Sequence, residues 1–334
     1  VAKNGTGTLI YQFANTYSGE TDINAGAIRV DVAPAAGGVY YVGNGGATAT
    51  AASLLLGGGG SGLSGGVTFN RNVIINNGDG SNRTLGGTNT SGTNTFSGTI
   101  AMDGSFGENR STNLNAASGG TVAFTNTISG AGQNITKAGG GTVILSGANS
   151  YSGNTTVNAG TLLINNTSGS GTGTGNVSVT SGATLGGTGT VSGAVTVTGK
   201  IAPGSGGIGT LNTGAVTWNG AATAGVTTNW EFALGSGNSA DKLNISGNFS
   251  KGTGSVFNFD FLGSTFTGIF TLAQWSGSTS FAVGDFSYSN LGGGLTGSFT
   301  LNGSSLQFTA VPEPSSALAG LMLGAGLLRR RRRA

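Results

Sequence analysis

Few residues in this chain could carry acid–base or metal chemistry. There is no Cys and no His. That removes thiolate and imidazole metal sites, Cys and His nucleophiles and the usual Ser-His-Asp triad. Carboxylates remain. Glu20, Asp22 and Asp31 lie close together near the start, Asp103 stands near Glu108, and Asp241 precedes Asp260. Carboxylates paired across a groove would suit glycoside cleavage. None of these acids has a basic or metal-binding partner written beside it, and they read as solvated loop or strand positions. Asp79, inside NNGDGSN, is loosely calcium-like, but a calcium loop needs several oxygen ligands at set spacing and only one carboxylate is present. LLLGGGGSGLSGG, from Leu54, lacks the Lys-Ser/Thr of a phosphate-binding loop and reads as a turn or linker. No catalytic residue, metal ligand or cofactor is expected, and no enzyme.

Charge narrows the partners. Only 7% of residues are charged, against about 25% in a typical soluble domain. The net charge of +3 comes from Arg329, Arg330, Arg331, Arg332 and Arg333; residues 1–311 hold nine basic and ten acidic residues. Such a body has no basic stripe to neutralise phosphates, so nucleic acid is not an expected partner. Without cysteine, the fold is not held by disulfides.

The elements that would position any site come from a repeat. GTLIYQFANTYSGETDINAGAIRVD, from Gly7 to Asp31, aligns without a gap on GTVILSGANSYSGNTTVNAGTLLIN, from Gly141 to Asn165, with twelve of 25 positions identical. A weaker echo, SGTNTFSGTI, runs from Ser91 to Ile100. Glu20, Asp22 and Asp31 align with Asn154, Thr156 and Asn165, so the early acids do not belong to the repeat's design. Apolar residues alternate at Val143/Leu145, Leu162/Ile164, Val177/Val179 and Val195/Val197, with single positions at Leu185, Val191 and Ile201. Period two marks strands buried on one face. Short strands with Gly, Ser and Asn at most corners predict a right-handed parallel β-helix over residues 1–215; a pair of antiparallel sandwiches is the alternative. Asn149 and Asn158 are read as inward residues that form ladders between coils.

Composition changes near residue 216. All three Trp and 11 of 16 Phe lie beyond it, with Phe257, Phe259 and Phe261 in clear alternation. Residues 216–311 therefore read as a small aromatic-rich β-domain that caps the solenoid end. Tyr and Trp are read mainly as core, although an exposed ring could stack on a sugar.

The tail, residues 312–334, is VPEPSSALAGLMLGAGLLRRRRRA from its second residue, Pro312, onward. Ala317 to Leu328 is a short uncharged run, about 18 Å long as a helix, and the arginines that follow favour the cytoplasmic side of a membrane. Pro312, Glu313 and Pro314, the short apolar helix and the arginine cluster together resemble the PEP-CTERM sorting signal. That resemblance implies recognition by an inner-membrane exosortase, cleavage near Pro312–Pro314, transient inner-membrane contact and release to the cell surface or extracellular matrix. KAGGGTVILSGANSYSGNTTVNAGTLLIN, followed by TLGGTGTV and IAPG, is similar to the autotransporter-associated β-strand repeat, best over residues 138–213 and fairly over residues 5–31. It implies a β-helical adhesin-like passenger. The chain begins at Val1 in mid-pattern, which suggests that a signal and further coils precede it.

The expectation is an exported structural or adhesive protein of a Gram-negative cell surface or biofilm. Its partners would be exopolysaccharide or other matrix proteins. A β-helical carbohydrate-active enzyme is the first alternative and a self-assembling fibre subunit the second.

Overall fold

The computed structural model describes residues 1–35, 37–43, 51–58, 65–76, 83–103, 110–204, 206–221 and 230–313. Its elements are short strands. Among the described residues, helical structure is confined to two 3-10 turns, Ser236–Asn238 and Val283–Asp285. No helix among the described residues is long and apolar enough to cross a membrane. The apolar helix expected in the tail lies outside the described residues.

The strands stack in parallel, coil upon coil, as a β-solenoid. One side is an eleven-stranded sheet running from Thr8–Tyr11 to Phe249–Lys251. A second side is a six-stranded sheet from Ala2–Lys3 to Ile128–Ser129, and a third is a seven-stranded sheet from Thr68–Phe69 to Lys200–Pro203. At about 4.8 Å between neighbouring strands, eleven strands make a rod about 48 Å long.

The alternation read in the sequence is the burial pattern. In the seven-stranded sheet, Phe69, Phe96, Phe124, Leu145 and Ile164 occupy one inward row, each paired in register with the next. Tyr40 meets Phe69 edge-on at 4.9 Å, and Phe96 lies flat on Phe124 at 4.9 Å. Stacked side chains of one kind fill a solenoid interior because each inward position recurs directly above itself.

Parallel pairing continues past residue 216. Val195–Val197 pairs with Val216–Trp218, which pairs with Phe249–Lys251. The interior widens there to take rings. Trp218 stacks on Trp230 at 3.8 Å, and Phe257 and Phe259 meet Trp218 edge-on at 5.2 Å and 5.4 Å. All three Trp are buried, so none offers a face to a sugar. Another six-stranded sheet begins with Thr190–Val191, Thr210–Thr213, Lys242–Ile245 and Gly268–Trp275 in parallel. It then changes direction. Ser305–Pro312 runs antiparallel between Gly268–Trp275 and Leu295–Asn302. A hairpin of this kind stops the parallel stack from continuing.

The two copies of the repeat hold the same local structure on different sides of the rod. Thr8–Tyr11 and Gly26–Val30 pair in the eleven-stranded sheet, whereas their counterparts Thr142–Leu145 and Thr161–Ile164 pair in the seven-stranded one. Local contacts are conserved across that change of side. The Tyr17 hydroxyl lies 2.6 Å from Thr21 Oγ1, and the Tyr151 hydroxyl 2.7 Å from Thr155 Oγ1. Gly26 and Gly160 both have positive φ, +72° and +61°, and a Cβ on either would come within 2.4 Å of a carbonyl oxygen in the adjoining coil.

Candidate functional site

The acids that suggested chemistry are dispersed. Glu20 is exposed and Asp22 half-buried. Asp31, expected in solvent, is instead buried and accepts from Arg29 Nε and Nη2 at 2.8 Å each. A lone carboxylate taken out of water requires such a partner. Asp260 accepts from the Leu262 N–H at 2.9 Å and from the Asn290 side chain at 2.8 Å. Asp79, Glu108 and the Asp103 side chain lie outside the described residues, as do Pro314 and Arg329 through Arg333. Pro312 ends the last strand, and the Glu313 N–H donates to the Gly294 carbonyl at 2.9 Å. No group of three or more acidic residues that could hold a metal is present among the described residues.

Two carboxylates do share a cleft of about 420 Å³, lined in part by Ala202, Pro203, Glu231, Asp241 and Leu262. Each already has a hydrogen-bond partner. Lys200 donates to Glu231 at 2.6 Å. The Gly209 and Ala233 N–H groups donate to the two Asp241 oxygens at 2.8 Å each. Burial raises the Asp241 pKa above the usual carboxylate range, and the two N–H donors pull it partly back. Asp241 thereby ties two neighbouring backbone segments together.

Lysine marks the repeat. Lys137 sits in an inward row of the eleven-stranded sheet, between Leu114 and Val157. It is fully buried, and its ammonium donates to the carbonyls of Ala138, Gly139 and Ala159 at 3.0, 2.8 and 2.8 Å. Burial pushes its pKa down to about 8. Lys3, its counterpart, donates to the Gly5 carbonyl and to the Ala25 carbonyl, the latter at 3.1 Å. Each lysine clamps the turn that follows it to the Asn-Ala-Gly turn of the next coil. The one trace of this pair in the sequence is the Lys-x-Gly shared at the start of both repeats.

Asparagine ladders run along the outside as well as the inside. The Asn154 N–H donates to the Asn134 side chain at 2.7 Å, the Asn176 N–H to Asn154 at 3.0 Å, and the Ala194 N–H to Asn176 at 3.2 Å. Asn149 is buried as expected and bridges coils, accepting from the Ile128 N–H at 2.7 Å and donating to the Gly171 carbonyl at 2.6 Å. Asn158 is exposed instead, because it follows the inward Val157.

The passenger-associated-transport-repeat family matches residues 1–30 and 135–164. The chain carries two copies of that repeat. Their bounds are the two lysine-clamped units just described, from the strand holding the lysine to the strand after the Asn-Ala-Gly turn. Among curated proteins, none matches the chain.

A polar, uncharged cleft lies on the aromatic half. It has a volume of about 520 Å³ and crosses the sheet that begins with Thr190–Val191, and its lining carries no charged side chain. Thr190, Asn212, Asn244 and Gln274 follow one another in register, one per strand. The Asn244 amide donates to Asn212 Oδ1 at 3.1 Å, and the Asn212 amide donates to the Gly189 carbonyl at 3.2 Å. At the margin, Lys242 approaches Gln274 Oε1 at 3.4 Å. The row leaves no mark in the sequence, because its members lie 22 to 32 residues apart and share no motif.

Proposed function

We propose that this protein is an exported, passenger-like β-solenoid with a structural and adhesive role at a bacterial cell surface or in its extracellular matrix. The observation that carries the reading is the pair of passenger-associated transport repeats, each built as the same lysine-clamped unit in a parallel stack. A rod suits that role, since every backbone pairing adds length and presents the same outward positions again. Non-enzymatic action is supported by the way Asp31, Glu231 and Asp241 are each engaged in a structural contact. Exopolysaccharide is the proposed partner, through uncharged Ser, Thr, Asn and Gln side chains.

In this reading the tail is a sorting signal. Pro312, Glu313 and Pro314 would meet an exosortase, with Arg329 through Arg333 holding the inner-membrane side. Intact mass of the protein recovered from its host tests this, beside a variant with all five arginines changed to alanine. The reading expects a mature C-terminus near Pro312 that is lost in the variant, together with digestion of the wild type by protease added to whole cells. A native chain that keeps its arginines and is protected inside the cell overturns it.

A further inference from the structure

The uncharged cleft on the aromatic half has a chemistry specific enough to name its occupant. We propose that it binds a neutral, hydroxyl-rich polysaccharide lying along the rod axis, across Asn212, Asn244 and Gln274. This rests on the glycan-facing reading above and goes further by naming the site and the ligand's charge class.

Side-chain amides offer donors and an acceptor in one plane, the complement of a hydroxyl that can do both. Asn212 spends its amide on the Gly189 carbonyl and its oxygen on Asn244. That fixes the row and leaves Asn244 Oδ1 and Gln274 Nε2 without a partner among the described residues, both on exposed side chains. In-register strands repeat such a contact about every 4.8 Å along the axis. A regularly repeating polymer can use each contact, whereas a single small molecule spans few of them.

Other ligand classes fit less well. An acidic polymer needs cations, and the lining supplies none; Lys242 stands only at the margin. A peptide that binds by adding a strand needs a free edge. The central strands of the cleft, Thr210–Thr213 and Lys242–Ile245, are paired on both sides.

The test is affinity electrophoresis of the full chain through gels containing dextran, galactomannan or xylan, with alginate as the acidic comparison. The expected result is retardation by at least one neutral polysaccharide, unchanged as sodium chloride rises from about 50 mM to about 500 mM. Asn244→Ala with Gln274→Ala should weaken it about tenfold or more, with the circular dichroism spectrum unchanged. Ser178→Ala with Thr196→Ala, outward on the eleven-stranded sheet, should leave it as in wild type. The proposal is overturned if no neutral polysaccharide retards the chain, if the amide variant binds like wild type, or if only alginate binds and salt abolishes it. Retardation with no tail processing would keep the cleft and sink the sorting reading. Processing with no retardation would do the reverse.

Discussion

Changing Lys137 to methionine separates the two opposed effects of a buried ammonium. Met keeps much of the apolar stem and removes the donors to Ala138, Gly139 and Ala159. A buried carbonyl left without a donor costs about 1–3 kcal/mol. In the other direction, the variant no longer holds a charge out of water. Lys137 has its pKa pushed from 10.5 to about 8, which corresponds to about 3 kcal/mol at about 1.36 kcal/mol per pH unit. Three such carbonyls together cost about 3–9 kcal/mol and removal of the buried charge returns about 3 kcal/mol, so at neutral pH the variant should lose about 0–6 kcal/mol.

The pH dependence is sharper. The folded state gives up the Lys137 proton near pH 8 and the unfolded chain near 10.5. Between those values the unfolded chain binds more protons, so the wild type gains stability as pH rises. The neutral amine still offers two donors to the same carbonyls. The margin of wild type over variant should therefore widen by about 3 kcal/mol across that window. Urea unfolding of both chains, followed by far-ultraviolet circular dichroism, measures it, and taking the difference removes tyrosine titrations common to both. A margin that stays flat or narrows as pH rises would refute the reasoning.

The two glycines Gly160 and Gly182 separate backbone conformation from close approach. Gly160→Ala meets both a φ of +61° and the Gly141 carbonyl oxygen 2.4 Å from the new Cβ, so it should cost more than the ~1–2 kcal/mol of the left-handed conformation alone. Gly182→Ala, at φ +79° with nothing within 4 Å, should cost about that amount and no more, by urea midpoint. Phe96→Ala removes the ring between Phe69 and Phe124 and should destabilise by about 3–5 kcal/mol in the same assay. A loss under about 1 kcal/mol would mean that the stack closes over the gap.

Alternation made the inward residues readable. Val143, Leu145, Leu162, Ile164, Val177, Val179, Val195 and Val197 are buried, as are Phe257, Phe259 and Phe261. Period two follows from the strand itself and needs no knowledge of neighbours. Which side of the rod a strand joins is not written in that period. The motifs around Tyr17 and Tyr151, which align without a gap, fall in different sheets, so their own sequence does not set the side. The amide row was hidden for a related reason, since Asn212, Asn244 and Gln274 become neighbours only once the coils are stacked. Lys137 runs against the pattern altogether. A charge in an apolar row contradicts the period, and it is tolerated because turn carbonyls surround it.

The position of the last strand bears on how the rod would carry tension. Ser305–Pro312 is not at the sheet edge; it has Gly268–Trp275 on one flank and Leu295–Asn302 on the other. A pull on the chain beyond Pro312, directed along the strand, loads both ladders in shear. The eight residue pairs toward Leu295–Asn302 and the six toward Gly268–Trp275 share that load at once. An edge strand pulled sideways would instead peel one pair at a time. The described residues thus end in a two-sided grip, and a load applied there would strain both ladders together before it freed the strand.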